Sequence, residues 1–467
     1  MNSTADSPTA ARRGRLLKVL GVGFGLAVIV GNTIGAGIFR APGEIAGHLP
    51  HVWLFLAVWV AGGLYALLGS LSIAELGAML PRSGGQYVFA RYGLGEYAGF
   101  IVGWSDWIST CGTISLIAIV VGDFSGGLFP VLAGKSLSIA AGIAIVFALL
   151  QLRGIVLGSS VQNVTSLLKT IAFLALIAAA FVFGGQSVAT TSAPVKIATG
   201  TALLGAIIIS LQSVIYTYDG WTGVIYFSEE VKDPGRDIPR AMFGGVWLVI
   251  GIYLLVNLAL IYVLPIEKIA GQEFAAGTAA QLIFGRYGDP IFRSLTILSM
   301  LSGVNANTLM ASRVLFAMGR DGLFSRQAAL VNQGGTPTVA LMMSLAVALL
   351  FIVFGKTFAK VISVLAFFFV ANYTLSFITV FVLRWREPLK ERPYRAWGYP
   401  FTTGLALLGS VAFLIGAVAS DLSSRSPETG SRSWDSIYAL LLLAASYPAF
   451  RVVKLLTARE KAEIVDL

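Results

Sequence analysis

Long apolar runs recur along the whole 467-residue chain, and no other feature limits its fold as tightly. A run of about 20 such residues crosses a bilayer as a helix. Runs of this kind fall near 17–47, 52–80, 94–124, 136–152, 156–184, 200–230, 240–264, 290–319, 337–355, 358–385, 400–420 and 434–456. Charged residues make up 12% of the chain, against about 25% in soluble domains, and the mean hydropathy is +0.81. The pattern predicts an all-α integral membrane protein of 12 transmembrane helices. A tail over 1–16 comes first, then five spans over 17–184, five over 200–385, two over 400–456, and a second tail over 457–467.

Lysine and arginine are unevenly placed. With the N-terminus inside, 22 of the 33 fall in inner segments, beginning with Arg12, Arg13, Arg15 and Lys18, and 10 in outer ones such as Arg40 and Lys135. By the positive-inside rule both termini face the cytoplasm. Topology thus accounts for the basic surplus, and nucleic acid is not an expected partner. The single cysteine, Cys111, rules out an internal disulfide framework. No Ser-His-Asp set or paired carboxylates suggest an enzyme, and His48 and His51 have no further ligands, so no metal or cofactor is expected.

Two spans carry glycine and polar clusters at mid-membrane: Gly31-Asn32-Thr33-Ile34-Gly35-Ala36-Gly37 in the first, and Tyr216-Thr217-Tyr218-Asp219-Gly220-Trp221-Thr222-Gly223 in the sixth. A spanning helix must satisfy its own backbone, so such clusters are tolerated where they line an enclosed cavity. The alternative is close helix packing through small residues. Spans one and six are five apart and enter the bilayer in opposite senses, as in an inverted five-plus-five repeat, where matched interruptions mark a transporter's site. Each break leaves free N–H groups on one half-helix and free C=O groups on the other, which suit a carboxylate and an ammonium. The ligand so described is a zwitterion, an α-amino acid.

Lys169 stands alone in the middle of the fifth span. A charge there costs at least ~2.5–3.5 kcal/mol unless it finds carbonyls, hydroxyls or a carboxylate. It is a candidate tether or proton-carrying group. Asp106 in the third span either lines the cavity or makes a packing hydrogen bond. The run Glu229, Glu230, Lys232, Asp233, Arg236 reads as a solvated face or a cytoplasmic gate.

Gly35-Ala36-Gly37-Ile38-Phe39 resembles a signature of the amino acid–polyamine–organocation transporters. Gly220-Trp221 followed by Glu229-Glu230-Val231-Lys232-Asp233-Pro234 resembles a second one, and Pro81-Arg82-Ser83-Gly84-Gly85, Ser302-Gly303-Val304-Asn305-Ala306 and Glu391-Arg392-Pro393-Tyr394-Arg395 continue the match. The resemblance runs from about residue 15 to 455. It implies a LeuT-like fold with broken helices 1 and 6. A lysine in span five resembles the L-type and alanine-serine-cysteine exchangers, where it replaces sodium. By that resemblance Lys169 contacts the Gly31 carbonyl and a hydroxyl of span eight, Ser299 or Ser302.

The same resemblance seats the substrate carboxylate on the N–H groups of Ala36 and Gly37, and its ammonium on the carbonyls of Thr33, Tyr216 and Asp219. Ile34, Gly35, Thr217 and Gly220 complete the site, and Tyr216 is the lid. Ala36 stands where many relatives have serine, and Asp219 where glycine or an apolar residue is commoner. Cys111 lies inside a span, so no disulfide-linked heavy subunit is expected. The whole reads as a sodium-independent carrier of neutral L-amino acids in the plasma (inner) membrane. It works by alternating access, through exchange or proton linkage, as a monomer or homodimer. The alternatives are a cationic amino acid or polyamine carrier, or a receptor of the same fold that transports nothing.

Overall fold

The structure is a computed structural model that describes residues 16–184, 199–272, 274–354, 358–423 and 434–465. The N-terminal tail up to Arg15 and the connections carrying Lys196, Arg425 and Arg432 lie outside them. The helices are α1 (Val22–Thr33), α2 (Ala36–His48), α3 (Val52–Met79), α4 (Gln86–Leu94), α5 (Glu96–Leu128), α6 (Ser136–Leu152), α7 (Ile155–Phe183) and α8 (Thr201–Tyr218). Then come α9 (Pro234–Val263), α10 (Ile266–Ile269), α11 (Ala275–Phe284), α12 (Gly288–Arg320), α13 (Thr338–Phe354), α14 (Phe358–Arg386), α15 (Phe401–Ser423) and α16 (Asp435–Val465). No strand occurs among the described residues, only two isolated bridges, Leu20 with Val231 and Val331 with Pro337.

Among the described residues, eight helices are long and apolar enough to cross a membrane, or nine if the bent pair α1–α2 is one span. That is fewer than twelve, for two reasons. α6 and α13 are apolar but have 17 residues each, which at 1.5 Å per residue is about 26 Å, just under the ~30 Å of a hydrocarbon core. α12 is 33 residues long, but Ser299, Ser302, Asn305, Asn307 and Ser312 lower its hydropathy. α16 also continues to Val465, so part of the second expected tail is helical.

α5 is the buried axis of the bundle, with 72% of its most apolar window inside the protein against 11% for α16. Its longest packing partner is α12, while α3 packs on α9, and α1 lies between α9 and α7. Small residues allow the close approach: a Cβ on Gly103 of α5 would stand 2.6 Å from the Met318 sulfur of α12. Several hydroxyls inside these helices are satisfied by their own preceding turn, as when Ser105 donates to the Ile101 carbonyl at 2.8 Å and Thr110 to the Asp106 carbonyl at 2.7 Å. That habit lets polar residues sit in a spanning helix without water.

After α8 the chain makes a short break and a single 3-10 segment, Gly223–Phe227. The residues that follow are pinned twice. The Leu20 N–H donates to the Glu230 carbonyl at 2.9 Å and the Lys232 N–H to the Leu20 carbonyl at 2.8 Å, so the start of α1 and the end of the second interrupted span are paired. The Glu230 carboxylate meets Arg313 of α12 through Nε at 3.1 Å and a terminal nitrogen at 3.2 Å, with both side chains fully buried. This overturns a wholly solvated reading of the 229–236 run: the guanidinium reaches Glu230 because the 3-10 segment before it packs on α12.

Removing one member of a buried ion pair leaves an uncompensated charge, at a cost of about 3–5 kcal/mol, whereas replacing both by apolar groups is often neutral. Arg313→Met is therefore expected to lower the melting temperature of the detergent-solubilised protein sharply, and Arg313→Met with Glu230→Leu to restore most of it. Equal melting curves for the single variant and the wild type would contradict the account.

Candidate functional site

The first interruption is two residues long and bends the span by 45°. Ile34 is extended, with φ −78° and ψ 92°, and Gly35 follows at φ −138° and ψ −146°. α1 thus ends with carbonyls that no later turn of helix claims. Lys169 of α7 reaches them: its ammonium donates to the Gly31 carbonyl at 2.9 Å and the Ile34 carbonyl at 2.6 Å. A cation at a helix C-terminus also suits the macrodipole. Ser299 of α12 donates to the same Ile34 oxygen at 3.0 Å. Ser302 takes a different place, 3.1 Å from both the Ser166 hydroxyl and the Gln162 amide, against the Gly31 turn.

Beyond the bend, α2 begins without a side-chain cap. The N–H groups of its first turn, those of Ala36, Gly37 and Ile38, consequently lack helical acceptors. Gly37 packs on α8: a Cβ there would lie 2.8 Å from the Thr217 hydroxyl and 3.0 Å from its Cα.

The second interruption covers 219–222. Gly220 has φ +111°, a conformation L side chains avoid. A Cβ at Gly220 would stand 2.8 Å from both the amide nitrogen and the hydroxyl of Thr33, so the two breaks touch. Tyr253 of α9 clasps them together, its hydroxyl 2.7 Å from the Thr33 carbonyl and 2.9 Å from the Thr217 carbonyl. The Tyr216 carbonyl accepts the Asp219 N–H at 3.1 Å. Both the Thr33 and Tyr216 oxygens keep one lone pair for another donor.

Between the breaks lies a cavity of about 60 Å³. Thr33, Gly35, Gly37, Tyr216, Thr217 and Asp219 are on its wall, while Ile34 turns its side chain into the core and Ala36 opens α2. Asp219 accepts the Tyr373 hydroxyl of α14. Asp106 of α5 accepts the Tyr226 hydroxyl at 2.7 Å, with its second carboxyl oxygen buried and unpartnered. The wall also carries Gln86, Thr110, Thr113, Asn307 and Met310, which the motifs did not single out. They come from α4, α5 and α12, far apart in the chain, and each looks like an ordinary helix residue. Tyr253 could have been suspected only as a phenol inside an apolar run. His48 is exposed, and no cluster of three metal-ligating side chains exists among the described residues. Cys111 is buried in α5.

A helical membrane bundle whose two interrupted spans meet around a small polar cavity has the organisation of a transporter. The family model described as amino acid permease matches residues 24–445, and the chain belongs to that family, within the amino acid–polyamine–organocation superfamily. It is 30% identical over 414 residues to the serine/threonine exchanger SteT of Bacillus subtilis (strain 168), covering 88% of this chain and 93% of the relative. It is 27% identical over 446 residues to the b(0,+)-type amino acid transporter 1 of Mus musculus, covering 93% and 88%. Against the Asc-type amino acid transporter 1 of Mus musculus the identity is 29% over 396 residues, covering 83% and 74%. The family and these relatives are transporters and exchangers, not enzymes.

Gly31 is the tightest point of the site. A Cβ there would lie 1.9 Å from the Gln162 amide nitrogen, 2.7 Å from the Ser166 hydroxyl and 2.8 Å from the Ser302 hydroxyl. Overpacking of this kind costs about 1–3 kcal/mol. Gly31→Ala is expected to lower the melting temperature, and Gly21→Ala, which meets open space, to leave it nearly unchanged.

Proposed function

We propose that this permease carries α-amino acids, neutral ones foremost, across the plasma membrane by alternating access. Twelve spans are reached when α6, α12 and α13 are counted as crossings, with α1–α2 and α8 through Phe227 as the broken members of an inverted five-plus-five repeat. The basic residues of the inner segments put both termini in the cytoplasm. The observation that carries the reading is the first break. Carbonyls on one side of the cavity and unclaimed N–H groups on the other match the two ends of a zwitterion.

The substrate carboxylate lies on the amides of Ala36 and Gly37, beside Gly35. Its ammonium takes the remaining lone pairs of the Thr33, Tyr216 and Asp219 carbonyls, with Tyr216 as the lid and Thr217 and Gly220 shaping the wall. The Lys169 ammonium fills the ground a sodium ion would need, holding the Gly31 and Ile34 oxygens. Transport is therefore sodium-independent. Because the start of α1 is paired with Val231 and the breaks share Tyr253, the two interrupted spans move together against α5 and α12. Transport runs by exchange or is linked to protons, and the relative named a serine/threonine exchanger favours exchange. A carrier of cationic amino acids or polyamines is the second reading, favoured by the Asp219 carboxyl on the wall.

Proteoliposomes loaded with unlabelled amino acid are expected to take up a labelled neutral one without sodium, faster than empty vesicles. Binding without accumulation under any internal amino acid or pH gradient would make the protein a receptor instead. Lys169→Ala is expected to remain folded while uptake collapses, and Gly37→Val to lose substrate binding because its branched side chain runs into Thr217. Normal uptake by the first variant or normal titration by the second would refute the assigned roles.

A further inference from the structure

One face of α9 changes character along its length. Its exposed residues begin with Arg236 and Arg240, one turn apart, and go on through Gly244, Trp247, Leu255 and Tyr262. Their spacing keeps them on a single side of the helix. α1 walls that face on one flank, its Leu26 standing 3.1 Å from where a Cβ on Gly244 would lie. The segment 393–397 walls the other: Pro393 would be 2.9 Å from a Cβ on Gly235, and Trp397 stacks on Phe243 with ring centroids 6.3 Å apart. Between these walls Gly244 and Gly251 leave a shallow trough, since a Cβ on Gly251 would meet nothing within 4 Å. The two arginines at its mouth differ from several on the same side of the protein. Arg82 and Arg91 are paired with Asp321, Arg313 with Glu230 and Arg384 with Glu75. Arg236 and Arg240 have no carboxylate within ion-pair distance among the described residues, although Asp233 and Asp237 stand within a turn of them. Lys18 and Lys232 are exposed at the same end, where Leu20 pairs with Glu230 and Lys232. Four basic side chains thus outnumber the two acids, Asp233 and Asp237.

We propose that this face of α9 is a binding site for an anionic phospholipid. Arg236 and Arg240 hold the phosphate, Trp247 and Trp397 sit at the level of the glycerol, and one acyl chain lies in the trough over Gly244 and Gly251. The order of chemistry along the helix selects the occupant. At 1.5 Å per residue, Trp247 is about 10 Å deeper than Arg240 and Gly251 about 17 Å deeper, close to half of a ~30 Å hydrocarbon core. Cation, then aromatic ring, then open apolar surface over that depth matches a single lipid from headgroup to tail. An acidic peptide or free phosphate would meet the arginines and leave the trough empty. The topology proposed above puts this end of α9 in the cytoplasmic leaflet, which carries anionic lipids. Because α1 forms one wall of the trough, the bound lipid also braces the first interrupted span against α9.

Detergent-solubilised protein would be titrated with phosphatidylglycerol and, separately, with phosphatidylcholine of the same acyl chains, and the bound lipid followed by native mass spectrometry. One phosphatidylglycerol is expected to bind at least about tenfold more tightly than phosphatidylcholine, each arginine contributing roughly fivefold. Arg236→Gln with Arg240→Gln is expected to bring that ratio to within about threefold. Arg153→Gln with Arg326→Gln, a pair of exposed arginines elsewhere, is expected to leave it unchanged. Gly251→Leu fills the trough and is expected to weaken both lipids, while inorganic phosphate, which cannot use the trough, is expected not to displace either. Equal affinity for the two lipids would overturn the proposal, as would a preference that survives the Arg236 and Arg240 substitutions or is lost with those of Arg153 and Arg326. So would release of the lipid by inorganic phosphate. The substituted arginines are exposed, so both double variants are expected to melt with the wild type. The two-lipid comparison on the wild type decides even where Gly251→Leu fails to fold. Binding is read without transport, so the result bears on this face of α9 and not on the amino acid site.

Discussion

The bilayer supplies no water to a broken backbone, and the rest of the architecture answers to that deficit. At the end of α1 two stranded carbonyls are met by the Lys169 ammonium, and one of them also by the Ser299 hydroxyl. A third, on Thr33, is met by Tyr253. These donors come from α7, α12 and α9, so satisfying one bend of chain fixes three helices around it. A charge that is expensive alone in a membrane becomes affordable when each of its contacts replaces one the backbone lost.

The same economy shapes the cavity. Since no solvent is available within spanning helices, the hydroxyls of Thr110, Thr113, Tyr226 and Tyr373 turn to carbonyls or to the carboxyls of Asp106 and Asp219, while that of Thr33 is buried without a partner. The same bonds that keep these helices intact therefore set which polar atoms face the cavity. At the other end of the interrupted spans, the Leu20 pairing and the Glu230–Arg313 ion pair hold the two segments to each other and to α12.

Much of this was legible beforehand, and for a physical reason. Glycine clusters in apolar runs are unfavourable in lipid, so their presence at 31–37 and 219–223 already marked the places where helices end early, while Lys169 had to meet carbonyls, hydroxyls or a carboxylate, and only the family resemblance pointed to the Gly31 carbonyl. Ser302 was less legible: it shares its α12 face with Ser299, but Gln162 and Ser166 intercept it before the Lys169 contact. Glu230 and Glu229 look alike in a charged run, yet the first is buried against Arg313 and the second is bonded to Arg320 at 2.6 Å nearer the surface. One residue of register along a turning segment makes that difference, and no local pattern encodes it.

Hydropathy and interruption are local properties, so the chain alone determined that it lives in a membrane as helices, that two of them carry interruptions, and that a lone lysine lies inside the fifth span. Which side chains complete the cavity was decided only when α4, α5, α9, α12 and α14 came together. Gln86, Asp106, Tyr226, Tyr253 and Tyr373 gain their meaning from partners more than thirty residues away. A hydrogen bond's direction depends on which acceptor lies within about 3 Å, and such distances exist only in the packed protein.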